Sequence, residues 1–159
     1  MSDIASLDAM LVALGFHKDP EYFSQCLAEQ AQGRREVYIA SLAGGDVGYA
    51  MLNWFPGYAP FRRLGIPEIQ DINTIPAARR QGVATALIRY CEDLARERGC
   101  TEMGIGVGLH AGFGNAQRLY ARLGYVPDGA GAVYDRGPVR AGELRPIDDN
   151  LCLMLLKLL

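Results

Sequence analysis

The chain has 159 residues, of which 50% are apolar and 21% are charged, and its formal net charge at pH 7 is −2. This composition is typical of one globular domain with its own core, and the weak negative charge argues against a general nucleic-acid binder, which would carry a basic face. The four cysteines form no C-x-x-C pair and have no histidine at zinc-ligand spacing, so we expect reduced thiols and no metal site. The sequence has neither a signal peptide nor an apolar run that could span a bilayer, so we expect a cytoplasmic protein.

The first part of the chain predicts two helices followed by a β-hairpin. Residues 3–14 place leucines at helical spacing, and residues 18–33 form a second helical segment that Asp19 can cap. Residues 37–42 and 47–54 alternate in the manner of strands, and the intervening "AGGD" is typical of a hairpin turn.

The rest of the chain predicts alternating strands and helices after a long aromatic loop. The predicted elements are the loop 55–66, a strand at 67–75, a helix from 83 to the glycine at 99, a strand at 101–108, a helix at 115–124, a Gly/Pro-rich stretch and a last strand around 150–157. This order predicts a mixed α/β architecture with helices on both faces of the sheet.

The junction between the predicted strand 67–75 and the following helix carries an unusual pair of arginines. Unpaired N–H groups and the positive end of the helix dipole favour an anion at a helix start. Gly82 allows close approach to the main chain, and Arg79 and Arg80 add fork-shaped cationic donors. Neither a Walker A lysine nor a G-x-G-x-x-G pattern is present here, so the residues alone leave open a phosphate site or a solvated helix start.

The segment Arg79-Arg80-Gln81-Gly82-Val83-Ala84 resembles the Q/R-x-x-G-x-G/A signature of the GNAT superfamily of acetyl-CoA-dependent N-acetyltransferases. A strand with a proline before the signature and an amphipathic helix after it strengthen the resemblance, which covers roughly residues 35–127. The resemblance implies that this loop wraps the pyrophosphate of acetyl-CoA, the co-substrate. The implied contacts fall on Arg79, Arg80, Gln81, Gly82, Val83, Ala84 and Thr85.

The resemblance also assigns a role to the strand ahead of the loop. In the family this strand splays from its neighbour, and its free backbone pairs with the pantetheine arm and can polarise the thioester carbonyl. The matching residues are Ile72, Asn73 and Thr74. An oxyanion formed during direct attack by an amine would be held by the same stretch of backbone.

A general base is expected nearby, because an amine attacks a thioester only after losing a proton. Several family members place this base four residues before the position of Ile72, and Glu68 stands there. Strand alternation puts Glu68, Gln70 and Ile72 on one face and Asp71 on the other. Glu68 as an ordinary carboxylate or a binder of a cationic substrate, and Asp71, His110 or a water chain as the base, all remain alternatives.

The segment 106–129 resembles the second half of the family's cofactor site. There an asparagine begins a helix and a tyrosine follows, and Asn115 and Tyr120 occupy these positions. The resemblance implies that Asn115 caps the helix or bonds the pantetheine arm and that Tyr120 protonates the departing thiolate; a core aromatic is the alternative for Tyr120. The loose G-x-G-x-x-A match beginning at Gly106 lies within a strand, which argues against a dinucleotide site.

Taken together, the sequence predicts a single N-acetyltransferase domain over residues 1–159 with a mixed, mostly antiparallel central sheet and helices on both faces. The predicted reaction transfers the acetyl group of acetyl-CoA to a primary amine of a small molecule in a ternary complex, without a metal, nucleic-acid or membrane partner. A coenzyme A sensor without activity, an enzyme that acetylates protein N-termini or lysines, and a homodimer remain open. The family usually opens with a strand, whereas residues 1–15 predict a helix.

Overall fold

A computed structural model describes residues 3–159. Its contacts divide the chain into two compact units. The first unit runs to Trp54 and resumes at Ile69–Leu94, and the second comprises Phe55–Glu68 and Ala95–Leu159. Among the described residues, no helix is both long and apolar enough to cross a membrane.

The first unit combines two helices, a hairpin and the junction that the sequence singles out. Its elements are α1 (Asp3–Leu14), α2 (Tyr22–Ala31), β1 (Arg35–Leu42), β2 (Gly45–Asn53), all but the first residue of β3 (Glu68–Thr74), a short 3-10 turn (Pro76–Ala78) and most of α4 (Val83–Glu97). The strand order is β1-β2-β3, and β1 pairs with β2 in antiparallel register.

Residues on opposite faces of β2 belong to two different cores, as its period of two requires. Tyr49 and Met51 are fully buried in a cluster with apolar residues of α1 and α2. Ala50 belongs to a second cluster, with Val83 and Leu87 of α4. Strand β2 therefore separates a helix pair on one face from α4 on the other.

The start of α2 differs from the sequence-based expectation. The helix begins at Tyr22, and its N-cap position is occupied by Glu21 without a side-chain cap hydrogen bond. Asp19 Oδ1 instead accepts a hydrogen bond from the backbone N–H of Glu21 at 2.8 Å. The predicted capping of α2 by Asp19 is wrong, because this carboxylate closes a turn just ahead of the helix.

The second unit is built around an antiparallel sheet of four strands in the order β4-β7-β5-β6. Its elements are α3 (Ala59–Leu64), β4 (Glu102–Gly108), α5 (Gly114–Arg122), β5 (Val126–Tyr134), β6 (Gly137–Pro138) and β7 (Leu151–Leu158). Helix α3 lies in the stretch that the sequence predicted as a loop, and β5 lies in the Gly/Pro-rich stretch. The mixed α/β fold class is confirmed, and the described chain opens with a helix.

Two glycines of β4 make room for aromatic rings. A Cβ atom built on Gly104 would collide with the ring of Phe61, and one built on Gly108 would collide with the ring of Phe113. Small residues in a strand that admit a close neighbour account for both positions. These two glycines are therefore packing residues, in agreement with the rejection of a dinucleotide motif.

Candidate functional site

The junction between β3 and α4 is a tight turn with two residues in the left-handed backbone region. Arg80 has φ +64° and Gly82 has φ +85°. The N–H group of Ala86 donates to the carbonyl of Gly82 at 2.9 Å, which is the first bond of α4. The N–H groups that precede it in the first turn have no acceptor within the helix. Since the arginine side chains are exposed, the turn offers donors and positive charge at one helix end.

Two side chains of the predicted coenzyme loop also hold the loop to the chain ahead of it. Arg79 Nε donates to the carbonyl of Thr74 at 3.4 Å. Gln81 Nε2 donates to the carbonyl of Ala77 at 3.2 Å. These bonds close the turn, so Arg79 and Gln81 shape the loop in addition to any contact with a ligand.

The end of β3 lies unusually close to β2. A Cβ atom on Gly48 would come within 2.7 Å of the carbonyl oxygen of Asn73 and 3.0 Å of Val83 Cγ1. The hydroxyl of Thr74 is buried and has no hydrogen-bond partner among the residues that the structure describes. A buried hydroxyl without a partner costs free energy, and here it belongs to a residue that the sequence assigned to the coenzyme site.

Strand β3 is interrupted at Asp71, which has φ +49° in the left-handed region. Gln70 accepts a hydrogen bond from Asn53 Nδ2 at 3.3 Å, whereas Asn73 donates to the hydroxyl of Tyr49 at 3.0 Å. Tyr49 and Asn53 lie on the same face of β2, so Gln70 and Asn73 share a face although their positions differ by three, which would put them on opposite faces of a regular strand. The backbone of β3 therefore contains a β-bulge at Asp71.

The bulge corrects one expectation from the sequence. Asp71 Oδ1 accepts a hydrogen bond from Asn73 Nδ2 at 3.0 Å, which places both side chains on the same face of β3 as Gln70. The predicted separation of Gln70 and Asp71 onto opposite faces is wrong, because strict alternation assumes a regular strand.

Asp71 is the centre of a polar cluster on the face that packs against α2. Its Oδ2 atom accepts a hydrogen bond from the Tyr22 hydroxyl at 2.9 Å and lies 2.7 Å from the ammonium nitrogen of Lys18. Burial, together with the nearby Asp71 carboxylate, raises the pKa values of Tyr22 and Tyr49. Both phenols therefore stay protonated at neutral pH.

Glu68, the predicted base, is buried in the second unit, with 1% of its side chain exposed. Its Oε1 atom accepts a hydrogen bond from Arg136 Nη1. Arg136 and Asp135 form the two-residue tip of the hairpin between β5 and β6, and their φ values of +65° and +48° are typical of the type I′ turn that such hairpins use. The twist of this turn directs the guanidinium onto a carboxylate that is far away in sequence.

Replacing Arg136 by methionine should lower the free energy of unfolding by about 2 kcal/mol. Breaking a buried ion pair costs about 3–5 kcal/mol, and the loss here is reduced because 40% of the Arg136 side chain is exposed. Thermal and urea unfolding measure the loss, with the exposed Arg140 replaced by methionine as the control. Adding Glu68→Gln to the first variant should recover part of the loss, and melting of the single variant like the wild type would contradict the pair's contribution.

Helix α5 carries the other two predicted site residues. Phe113 occupies the N-cap position and the helix begins at Gly114, so the predicted capping by Asn115 is wrong, and Asn115 is the second helical residue. Tyr120 is 5% exposed, and burial raises its pKa. Its ring lies 6.2 Å from the ring of Tyr125, so Tyr120 is packed as a core aromatic and also keeps its proton.

His110, an alternative base, is engaged in local hydrogen bonds. Its Nε2 atom lies 2.7 Å from Asp149 Oδ1, and its Nδ1 atom accepts from the backbone N–H of Gly112 at 3.1 Å. Both ring nitrogens therefore have partners, Gly112 in the loop between β4 and α5 and Asp149 just ahead of β7. In this position His110 stabilises the start of the short 3-10 turn that follows it.

The structure brings the predicted residues together in part. In the first unit β3 leads through Asn73 and Thr74 into the arginine turn, in the chain order that the sequence predicts, whereas the bulge at Asp71 was not predicted. In the second unit Glu68 meets Arg136, which no motif had indicated. Sequence reasoning also missed the polar contacts that Lys18, Tyr22 and Tyr49 make with β3, because only the folded hairpin and helix pair bring these side chains beside that strand.

Comparison with known proteins agrees with this geometry. The family model described as the acetyltransferase (GNAT) family matches residues 6–125. The match covers well over half of the chain, and the chain belongs to the GNAT family of acetyltransferases. The family predicted from the signature at the arginine turn is thereby confirmed.

One curated relative matches less than half of the chain. Aminoglycoside N(6')-acetyltransferase type 1 of Klebsiella aerogenes is 37% identical over 67 residues, which are 42% of this chain and 44% of that protein. The alignment thus spans less than half the length of this curated relative.

Two solved structures share the fold across nearly the whole chain. The ribosomal-protein-alanine N-acetyltransferase of Brucella melitensis has 22% identity and a TM-score of 0.69, with 99% of this chain and 97% of that chain covered. The yncA protein of Salmonella typhimurium, solved with its cofactor acetyl-CoA, has 19% identity and a TM-score of 0.65, with 99% and 90% covered. At these identities the likeness establishes the fold.

Proposed function

We propose that the protein is an acetyl-CoA-dependent N-acetyltransferase that acetylates a primary amine of a small molecule. One observation carries the proposal: within the residues matched by the family model, a bulged strand leads through a left-handed turn with two exposed arginines into the N-terminus of α4. This arrangement offers main-chain N–H donors and two guanidinium groups to a pyrophosphate.

The residues of the turn and of β3 would hold acetyl-CoA, which supplies an acetyl group activated as a thioester. Arg79 and Arg80 would bind the pyrophosphate through their guanidinium groups, and Gln81 to Thr85 through the main chain around Gly82. Ile72, Asn73 and Thr74 would bind the pantetheine arm through their backbone, together with Asn115. The unpaired hydroxyl of Thr74 supports a ligand contact at this end of the strand.

The proton of the attacking amine requires an acceptor. We propose Glu68 for this role, acting directly or through water. The carboxylate is held by Arg136 inside the second unit, so proton transfer requires an exchange at that pair. Asp71, which already lies 2.7 Å from an ammonium group, is the second candidate.

Tyr120 would donate a proton to the sulfur of the leaving coenzyme A. Burial raises the pKa of its phenol, which keeps the proton available at neutral pH. The reaction then needs no metal, since the protein supplies a base, backbone donors for the developing oxyanion and an acid.

A small-molecule acceptor is supported by the curated relative, which is named an aminoglycoside acetyltransferase. The name of one solved structure, a ribosomal-protein-alanine N-acetyltransferase, favours a protein N-terminus as the second candidate. The four cysteines are free, which supports a reducing compartment, and we place the protein in the cytoplasm.

A coenzyme-release assay across a library of amines tests the function. We expect release of free thiol from acetyl-CoA with at least one primary amine, and acetylation of that amine by mass spectrometry. Peptides with N-terminal alanine form a parallel arm for the protein-acceptor alternative. Binding of acetyl-CoA without turnover of any amine or peptide would instead support a coenzyme A sensor.

A further inference from the structure

The segment between α1 and α2 places a single side chain against the sheet. Residues 15–21 are exposed except Lys18, which is partly buried, with 24% of its side chain exposed. The chain contains only two lysines, Lys18 and Lys157, against 14 arginines. A lysine ammonium on its flexible four-carbon stem is therefore rare in this protein, and one of the two, that of Lys18, contacts β3.

The group that receives Lys18 has the properties of an ammonium-binding site. The ammonium nitrogen lies 2.7 Å from Asp71 Oδ2 and 4.1 Å from the centre of the Tyr22 ring. A carboxylate next to the face of an aromatic ring is a combination that recognises alkylammonium ions. The side chain of Asp71 is 14% exposed, so the carboxylate keeps some contact with solvent.

Residues other than Lys18 hold the Asp71 carboxylate in place. Tyr22 donates to Asp71 Oδ2 at 2.9 Å, and Asn73 donates to Asp71 Oδ1 at 3.0 Å. Asn73 also donates to the Tyr49 hydroxyl, so its amide is held between two partners. The bulge in β3 turns the Asp71 carboxylate toward this face. Residues of β2, β3 and α2 thus preorganise the carboxylate, whereas Lys18 reaches it from an exposed segment.

Arg35, another cation on this face, is bound to other groups and not to Asp71 in the described part of the chain. Arg35 Nε pairs with Glu29 Oε2 at 2.7 Å, and one of its terminal nitrogens contacts the sulfur atoms of Cys26 and Met51. The cation that pairs with Asp71 is therefore Lys18. The pair is partly buried, with 24% and 14% of the two side chains exposed, so a solute that replaces the Lys18 ammonium must itself carry a positive charge to keep the Asp71 carboxylate paired.

We propose that Asp71 and Tyr22 form a subsite for the primary alkylammonium group of the acceptor, and that Lys18 is a built-in occupant which the acceptor displaces. This inference rests on the proposed function, because it gives the amine-acetylating site a specific contact for its substrate. The Lys18 side chain has the chemistry of the ligand the subsite takes, a butylammonium group. An occupant bound most of the time reduces the apparent affinity for the acceptor in proportion to its occupancy.

The experiment measures binding of n-butylammonium chloride, without acetyl-CoA, by NMR titration of the backbone amide resonances at positions 71 and 73. Lys18→Met removes the ammonium and keeps the length of the side chain, and we expect it to bind the probe about tenfold more tightly than the wild type. Lys157→Met, which removes the other lysine, should bind like the wild type. Adding Asp71→Asn to Lys18→Met should abolish binding, and Lys18→Gln replaces Lys18→Met if the latter does not fold.

Equal affinity of the wild type and a folded Lys18 variant for the probe would contradict the role of Lys18 as an occupant. Absence of probe binding to the folded variant would contradict the existence of the subsite. Because the titration contains no acetyl-CoA, its outcome is independent of turnover. A protein that acetylates amines but gives a negative titration retains its function and loses this subsite. Conversely, a protein that binds the probe through Asp71 and releases no coenzyme has the subsite without the proposed activity.

Discussion

Replacing Arg79 and Arg80 together by glutamate should weaken acetyl-CoA binding by at least about 100-fold while the protein stays folded. Hydrogen bonds to charged groups contribute about 1.5–3 kcal/mol each, and 1.4 kcal/mol is a factor of ten in affinity. Both side chains are exposed, so their loss leaves the cores of the first unit intact. Isothermal titration calorimetry with acetyl-CoA gives the affinity, and circular dichroism gives the fold.

The matched control is the double replacement of Arg63 and Arg89 by glutamate. Both are exposed arginines outside the turn, and the change in net charge is the same. The control should bind acetyl-CoA nearly as well as the wild type, and the wild type should bind less tightly as salt screens the arginines. Equal weakening in both double variants would mean that overall charge, and not the turn, governs binding.

Gly82 provides an independent variant of the same turn. None of the described residues 3–159 comes within 4 Å of a Cβ atom at this position, yet φ is +85°. A bulky β-branched residue such as valine would therefore strain the backbone and shield the main-chain donors without colliding with the protein. Its effect separates main-chain contacts from the charge contributed by the arginines.

The arginine turn could be predicted from the sequence because its information is local. A strand, a proline, two arginines and a glycine before an amphipathic helix are contiguous in the chain, and each has a physical meaning that does not depend on distant residues. Most of the helices and strands followed from periodicity for the same reason, whereas α3 lies in a stretch predicted as a loop. Strand β5 was missed because its "VPDGAGAVY" sequence has almost no strand pattern, and pairing with β7 determines its conformation.

The contacts of the Glu68 and Asp71 carboxylates could not be predicted in the same way. Glu68 meets Arg136 across 68 positions in the chain, and the hairpin tip that directs the arginine consists of two non-glycine residues in a conformation that glycine prefers. Asp71 lies on an unexpected face because a bulge broke the alternation. Tertiary structure decides both features, so a motif identifies the carboxylates but not what they bind.

Tyr120→Phe should lower kcat by about 100-fold, the lower end of the usual contribution of a general acid, because a thiolate is already a good leaving group. The variant removes one oxygen from a side chain that is 5% exposed, so acetyl-CoA affinity and melting temperature should change little. This split between kcat and binding distinguishes an acid from a core aromatic, whose replacement would act on stability alone. Steady-state coenzyme release with a substrate amine measures kcat.

The control for Tyr120→Phe is Tyr125→Phe, because Tyr125 is buried beside Tyr120 and presents the same chemistry to the same core. If both variants lose activity equally, the effect is one of packing and the acid must be another group or water. If only Tyr120→Phe is slow, its rate should recover with acyl thioesters whose thiols are more acidic than coenzyme A, because a better leaving group needs less help from an acid. This recovery would place the phenol proton at the sulfur in the transition state, which the buried position of Tyr120 alone does not establish.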